Sequence, residues 1–152
     1  MTISEETKLL LTTIHHQKAV QALLRSLAYK LLERADLHDL SKLTEAEFAG
    51  FLTMGNKPPF GTPEYEQALE AGKETIALHH RQNRHHPEHW PNGASGMRFI
   101  DFAEMVCDQV AANRAAGERS FEENMPERRK RYGLTPEQEF LTRFIAEELN
   151  AP

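Results

Sequence analysis

The chain has 152 residues, 39% of them hydrophobic and 27% charged, proportions that belong to a globular domain rather than to a disordered, fibrous or membrane-spanning chain. A formal net charge of −5 argues against sequence-independent wrapping of duplex nucleic acid, which runs on an excess of Lys and Arg. A single cysteine, Cys107, excludes an internal disulfide framework.

The lone cysteine fits a reducing compartment, and the first ten residues, MTISEETKLL, are acidic where a secretory signal would be basic. No run approaches the ~18 apolar residues of a membrane span. A cytoplasmic location with no membrane partner is therefore expected. Leu and Ala each occur 17 times and Glu 19, against 3 Val and 5 Ile, so helix formers far outnumber strand formers. The expectation is all-α, one domain spanning residues 1–152 with about five to six helices.

In chain order, Leu9, Val20, Leu23, Leu27 and Leu31 follow a 3.6-residue period, with Thr13 and His16 filling its gaps. Residues 5–34 read as one long amphipathic helix with Ser4 as N-cap. Thr44-Glu45-Ala46-Glu47 has the form of a capping box opening a second helix, which should stop before Gly55-Asn56-Lys57-Pro58-Pro59. Thr62-Pro63 places a cap and an N1 proline at the head of a third helix running to about Asn83. The tract His85–Gly96, with two prolines and two glycines, should be irregular. A fourth helix is predicted from about Met97 to Ala116, ended by Gly117. Ser120-Phe121-Glu122-Glu123 and Thr135-Pro136-Glu137-Gln138 are further capping boxes, and Gly133 separates the helices they open.

The eight histidines fall in three places: His15 and His16, His38, and five between His79 and His89. The tract LHHRQNRHHPEHW suggests metal binding, since neutral imidazole is the commonest protein ligand for first-row metals. The alternative is a solvated loop, or histidines that stack on Trp90 and cap a helix end. His38-Asp39 pairs a nitrogen ligand with a carboxylate that can reach a second ion or a bound water. His16, on the apolar stripe of the first helix, should point inward, as a ligand or as a hydrogen-bonded core histidine. Asp101, Glu104 and Asp108 share one face of the fourth helix, opposite Phe99, Ala103, Val106 and Val110, so periodicity alone turns these acids to solvent. The run Arg128-Arg129-Lys130-Arg131 closes the fifth helix, where positive charge offsets the dipole, and reads as a solvated terminus in preference to a nucleic-acid patch.

Taken together, an inward His on the first helix, the HDLSK segment, the His-rich tract and the Asp of MVCDQVAA resemble, in that order, the HD-domain superfamily of metal-dependent phosphohydrolases. The resemblance covers roughly residues 9–116, with C-terminal helices at 120–149. Within the superfamily the chain looks most like an uncharacterised family common in bacteria and phages, with a similar HHxxHNRHHPEH-like tract. The resemblance makes His16, His38, Asp39 and Asp108 the ligands of a first metal. It draws a second metal from among His79, His80, His85 and His86 without choosing between them. It implies one or two divalent ions (Mn, Co, Fe, Ni, Zn or Mg) and hydrolysis of a nucleotide or other small phosphate ester by a metal-activated water. Asp39 would then orient or help deprotonate that water, and Lys42, which stands where some HD nucleotidases carry Glu, would hold phosphate. Arg81 and Arg84 are further candidates for the phosphoryl oxygens, or solvated residues at a helix end. Two other readings stay open: oxidative chemistry at a His-rich di-iron HD site, and a non-catalytic module that binds metal for structure or binds a partner.

Overall fold

The computed structural model describes residues 4–55, 58, 62–117 and 120–149. Asn56, Lys57 and Pro59 of the expected loop lie outside the described residues. All regular structure among the described residues is helical, so the fold is all-α. No described helix is long and apolar enough to cross a membrane. By its contacts the chain divides into two compact units, Met1–Asp36 and Leu37–Pro152.

The first unit is one helix, α1 (Glu5–Leu37), whose last residue opens the second unit. Ser4 caps it as predicted, its Oγ accepting the Thr7 N–H at 3.2 Å, and Glu5 and Glu6 face the positive end of the dipole. No residue of α1 is buried. Leu9, Val20, Leu23, Leu27 and Leu31 are exposed, and so is His16, which the periodicity turns inward. The physical reason is simple: a single helix has no second surface of its own on which to bury an apolar stripe.

The second unit holds a 3-10 turn (Leu40–Leu43), α2 (Glu45–Met54), α3 (Pro63–Ala71), α4 (Lys73–Gln82), two further 3-10 turns (Pro87–His89 and Gly93–Gly96), α5 (Phe99–Ala116), α6 (Met125–Tyr132) and α7 (Pro136–Glu148). The described residues thus hold seven α-helices, one or two more than expected, because the helix predicted over 62–83 breaks at Gly72 into α3 and α4. A Cβ at Gly72 would overlap the Met54 thioether, so the break sits where the end of α2 leaves no room for a side chain. The tract from His85 to Gly96 contains only 3-10 turns, as its prolines and glycines predict. Gly117, at φ 67°, ends α5 in the left-handed C′ conformation.

The three capping boxes have different fates. Thr135 and Gln138 form theirs completely at the head of α7. Ser120 and Glu123 exchange the same two bonds, at 2.9 and 3.2 Å, but close a turn, and α6 starts only at Met125 with Pro126 in its first turn. At α2 the box does not form: the Thr44 hydroxyl donates to the Ser41 carbonyl at 2.6 Å, and Glu47 has another partner.

The core gathers on one side of α5. Phe102, Met105, Val106 and Val110 pack with Phe121, Met125, Leu134 and Ala146, the last on α7. Val106 and Val110 are essentially sealed, and each such side chain contributes about 1.5–3 kcal/mol. Phe99, assigned to this side by periodicity, sits at the helix start and stays half exposed. On the other flank α2 packs against α4, so closely that a Cβ at Gly50 would overlap the Thr75 side chain. Alanine normally stabilises a helix interior over glycine. Gly50→Ala should instead lower unfolding free energy by about 1–3 kcal/mol through overpacking, measured by urea denaturation.

Candidate metal centre

Asp39 is the pivot of the site. Its backbone takes the left-handed conformation (φ 56°, ψ 14°), the only described non-glycine residue to do so. Asp tolerates this region better than most residues, and here it caps the 3-10 turn Leu40–Leu43. One carboxylate oxygen, Oδ2, accepts a hydrogen bond from the Lys42 ammonium and lies 3.6 Å from His38 Nε2. The other, Oδ1, lies 3.2 Å from His79 Nε2 and 3.4 Å from His85 Nε2. His86 Nε2 is 3.0 Å from His79 Nε2. One ligand atom each from Asp39, His79, His85 and His86 falls within 4.8 Å of every other.

Two buried glutamates orient these rings. Glu47, 0% exposed, lies 2.8 Å from His79 Nδ1 and accepts the Ser41 hydroxyl at 3.0 Å. Glu104 Oε1 lies 3.0 Å from His38 Nδ1 and 3.2 Å from His85 Nδ1. A carboxylate only accepts, so with Glu47 and Glu104 ionised these imidazoles would carry their proton on Nδ1, and each turns Nε2 toward Asp39. Such a carboxylate behind a histidine is the arrangement that fixes tautomer and ring direction in metal sites. Asn83 braces the same corner, donating to Ser41 Oγ at 2.7 Å and to the His79 carbonyl at 2.8 Å.

The electrostatics around Asp39 Oδ1 suit a cation. Lone pairs of His79 and His85 face a carboxylate oxygen, and both Asp39 Oδ1 and His85 Nε2 are buried without a hydrogen-bond partner among the described residues. A metal ion there, or a further proton on an imidazole, would resolve that opposition. Burial works against the Asp39 charge, but the hydrogen bond and the charge of Lys42 prevail and hold its carboxyl below the usual range. Burial also pushes His86 down to about 2, helped by charge on His85, His80 and His79 and opposed by Asp39. His80 moves the same way, again chiefly through burial.

The acids of α5 correct the expectation from periodicity. Asp101 is 4% exposed and Glu104 8%, and Asp108 Oδ1 lies 3.7 Å from His38 Nε2. Periodicity assigns this face to water because it counts polarity alone, whereas Arg84, His38 and His85 supply partners that make burial tolerable. Arg84 donates to both oxygens of Asp101, at 3.0 and 3.1 Å, and stacks 4.5 Å over Trp90, so its guanidinium already has a carboxylate. Arg81 is exposed, and its carbonyl accepts from His89 Nδ1 at 2.8 Å, which makes His89 a helix-end cap. His80 lies 4.0 Å from Glu88 and, with His86, forms a separate group nearer the surface. His16 is on α1, in the other unit, with its ring exposed.

The basic run 128–131 is divided among several tasks. Arg128 donates to the Phe121 carbonyl at 2.6 Å, Arg129 pairs with Glu139 at 3.6 Å, and Arg131 lines a cleft. That cleft, about 600 Å³, has His79, His85 and His86 in its lining together with Lys42, Lys73 and Arg131. Glu47, Glu104, Ser41 and Asn83 are the parts of the site that sequence reasoning does not assign to it. Glu47 and Glu104 are visible in sequence only as a capping-box residue and as part of an acidic helix face.

Two predictions follow from the geometry. Glu47→Gln should keep the fold and reduce divalent-metal affinity about 10–100-fold, measured by titration calorimetry with Mn²⁺ or Co²⁺. In chelator, an unfolded histidine takes up a proton below about 6.5, whereas folded His86 refuses it down to about 2. Stability should therefore fall as pH drops through 6.5, with Asp39 adding to the loss below 3.8. Urea denaturation at pH 7 and pH 5 should show a smaller loss for His86→Gln than for wild type.

No curated protein and no solved structure matches the chain. From residue 5 to residue 150 it matches DUF5662, described as a family of unknown function, and the chain belongs to that family.

Proposed function

We propose that the second unit is a metal-dependent phosphohydrolase acting on a nucleotide or another small phosphate ester. The observation that carries this reading is the set of Nε2 atoms gathered around Asp39 Oδ1, with buried glutamates behind the rings, beside a cleft lined by Lys42, Lys73 and Arg131. The HDLSK segment and the histidine-rich tract, two of the elements behind the resemblance to the HD superfamily, both contribute to this site and add support, whereas His16 lies in the other unit. Asp39, His79, His85 and His86 would hold a divalent ion, and the orphaned Asp39 Oδ1 and His85 Nε2 suit it. Such an ion supplies Lewis acidity toward a phosphoryl oxygen and lowers the pKa of water.

The protein's own groups divide the remaining work. Lys42, 43% exposed at the side chain and 5.6 Å above the Phe51 ring, neutralises Asp39 Oδ2 on one side and offers its remaining N–H groups to a phosphoryl oxygen on the other. Asp39 is held too firmly ionised to keep a proton near neutral pH, so its role is to bind and orient, not to act as a general base. His38 stands between Asp39 and Asp108, with its Nδ1 proton committed to Glu104. Arg84, paired with Asp101, serves the framework, and Arg131 takes its place as a cation on the cleft wall.

The test is a screen of nucleoside phosphates and p-nitrophenyl phosphate with Mn²⁺, Co²⁺, Fe²⁺, Ni²⁺, Zn²⁺ and Mg²⁺. Asp39→Asn should lose metal and turnover together. Lys42→Ala should keep the metal and lower kcat about 10²–10³-fold. Metal binding without phosphate release from any ester would contradict the reading in favour of a structural site, and oxygen consumption by the iron-loaded protein would favour oxidative chemistry.

A further inference from the structure

Gln109 lines the same cleft, one residue beyond Asp108 on α5. It is only 8% exposed, and neither its amide oxygen nor its amide nitrogen has a hydrogen-bond partner among the described residues. Buried side-chain amides are nearly always satisfied, because each unmade bond forfeits the solvation that water would give. Its neighbours one turn away on α5, Met105 and Ala112, four residues before and three after, are apolar and share the cleft lining. A leucine would serve the packing of α5 better.

An amide with no bonds to break can turn about its side-chain torsions at little cost. It then presents one donor and one acceptor side by side, a pattern matched only by a planar group that carries an acceptor beside a donor. Phosphate and sugar hydroxyls do not present that fixed pair, whereas the edge of a nucleobase does. Tyr65 and Tyr132 also line the cleft and supply aromatic surface for such a ring. At about 600 Å³ the cleft falls within the range of small-molecule sites.

We propose that Gln109 is a specificity-determining residue of this cleft, whose carboxamide turns toward the ligand and pairs with a donor–acceptor edge of the kind a nucleobase carries. The inference rests on the reading of the cleft as a phosphate-ester site and narrows it to esters with such an edge. Gln109 takes no part in holding metal or phosphate, so its loss changes which ligand binds and leaves the phosphate end intact.

The experiment measures binding of AMP, GMP, CMP, UMP, ribose 5-phosphate and inorganic phosphate to the full-length, Mn²⁺-loaded protein by titration calorimetry. At least one nucleotide should bind tenfold or more tighter than ribose 5-phosphate. Gln109→Leu should erase that margin while leaving ribose 5-phosphate and phosphate affinities within about twofold, and should raise the melting temperature by removing an unsatisfied amide. Gln109→Glu, of the same size but without a donor, should also lose the margin. Nucleotides binding no tighter than ribose 5-phosphate would overturn the role of Gln109 and spare the phosphate site. An unchanged margin in Gln109→Leu, or a lowered melting temperature, would mean the amide is satisfied by water within the fold and would likewise overturn it. Failure of every probe, inorganic phosphate included, would remove the phosphate site itself and the inference with it.

Discussion

A carboxylate oxygen set among imidazole nitrogens in a largely buried site is the constraint around which the second unit is organised. Asp39 Oδ1 lies within 3.4 Å of Nε2 atoms on both His79 and His85, and Glu47 and Glu104 hold the Nδ1 protons that would otherwise let those rings turn over. Burying such groups costs several kcal/mol per charge unless opposite charge is supplied at the same place. Oδ2 has that charge in Lys42, whereas Oδ1 depends on a proton or a metal ion. The two oxygens of one side chain are therefore set in different surroundings, one paired with a cation built into the chain and one among groups that could hold a cation from solution.

α5 makes this arrangement possible because it is buried on two faces with opposite chemistry. Phe102, Val106 and Val110 anchor it in the apolar core, and Asp101, Glu104 and Asp108 meet Arg84, His85 and His38 on the other side. Core packing thus fixes the positions of the acids, and the acids fix the histidines. α2 does the same from the opposite flank. The close approach of Gly50 to Thr75 holds α2 on α4, which keeps Glu47 against His79.

Much of the fold is legible in local chemistry. Ser4, Gly117 and the Thr135 box mark helix ends where they are found, since each acts through bonds within one turn of chain. The misplaced features depend on distant partners. Gly72 breaks a helix beside Met54, and Glu47 forsakes the Thr44 box for a histidine 32 residues away. Asp101 and Glu104 look solvent-facing until their cationic and imidazole partners are in place. Of the candidate ligands, His38, Asp39, His79, His85, His86 and Asp108 lie in one neighbourhood, which composition and spacing suggest but do not arrange. The apolar period of α1 predicts a buried stripe, yet the helix forms a unit by itself and its leucines and His16 are exposed.

The most direct measurement is a crystal structure of the protein soaked with Mn²⁺ or Zn²⁺, with diffraction recorded at the absorption edge of the metal. The account predicts an anomalous peak about 2.0–2.3 Å from Asp39 Oδ1 and from the Nε2 atoms of His79 and His85. Peaks confined to surface groups, with Asp39 Oδ1 still facing bare imidazoles, would contradict it.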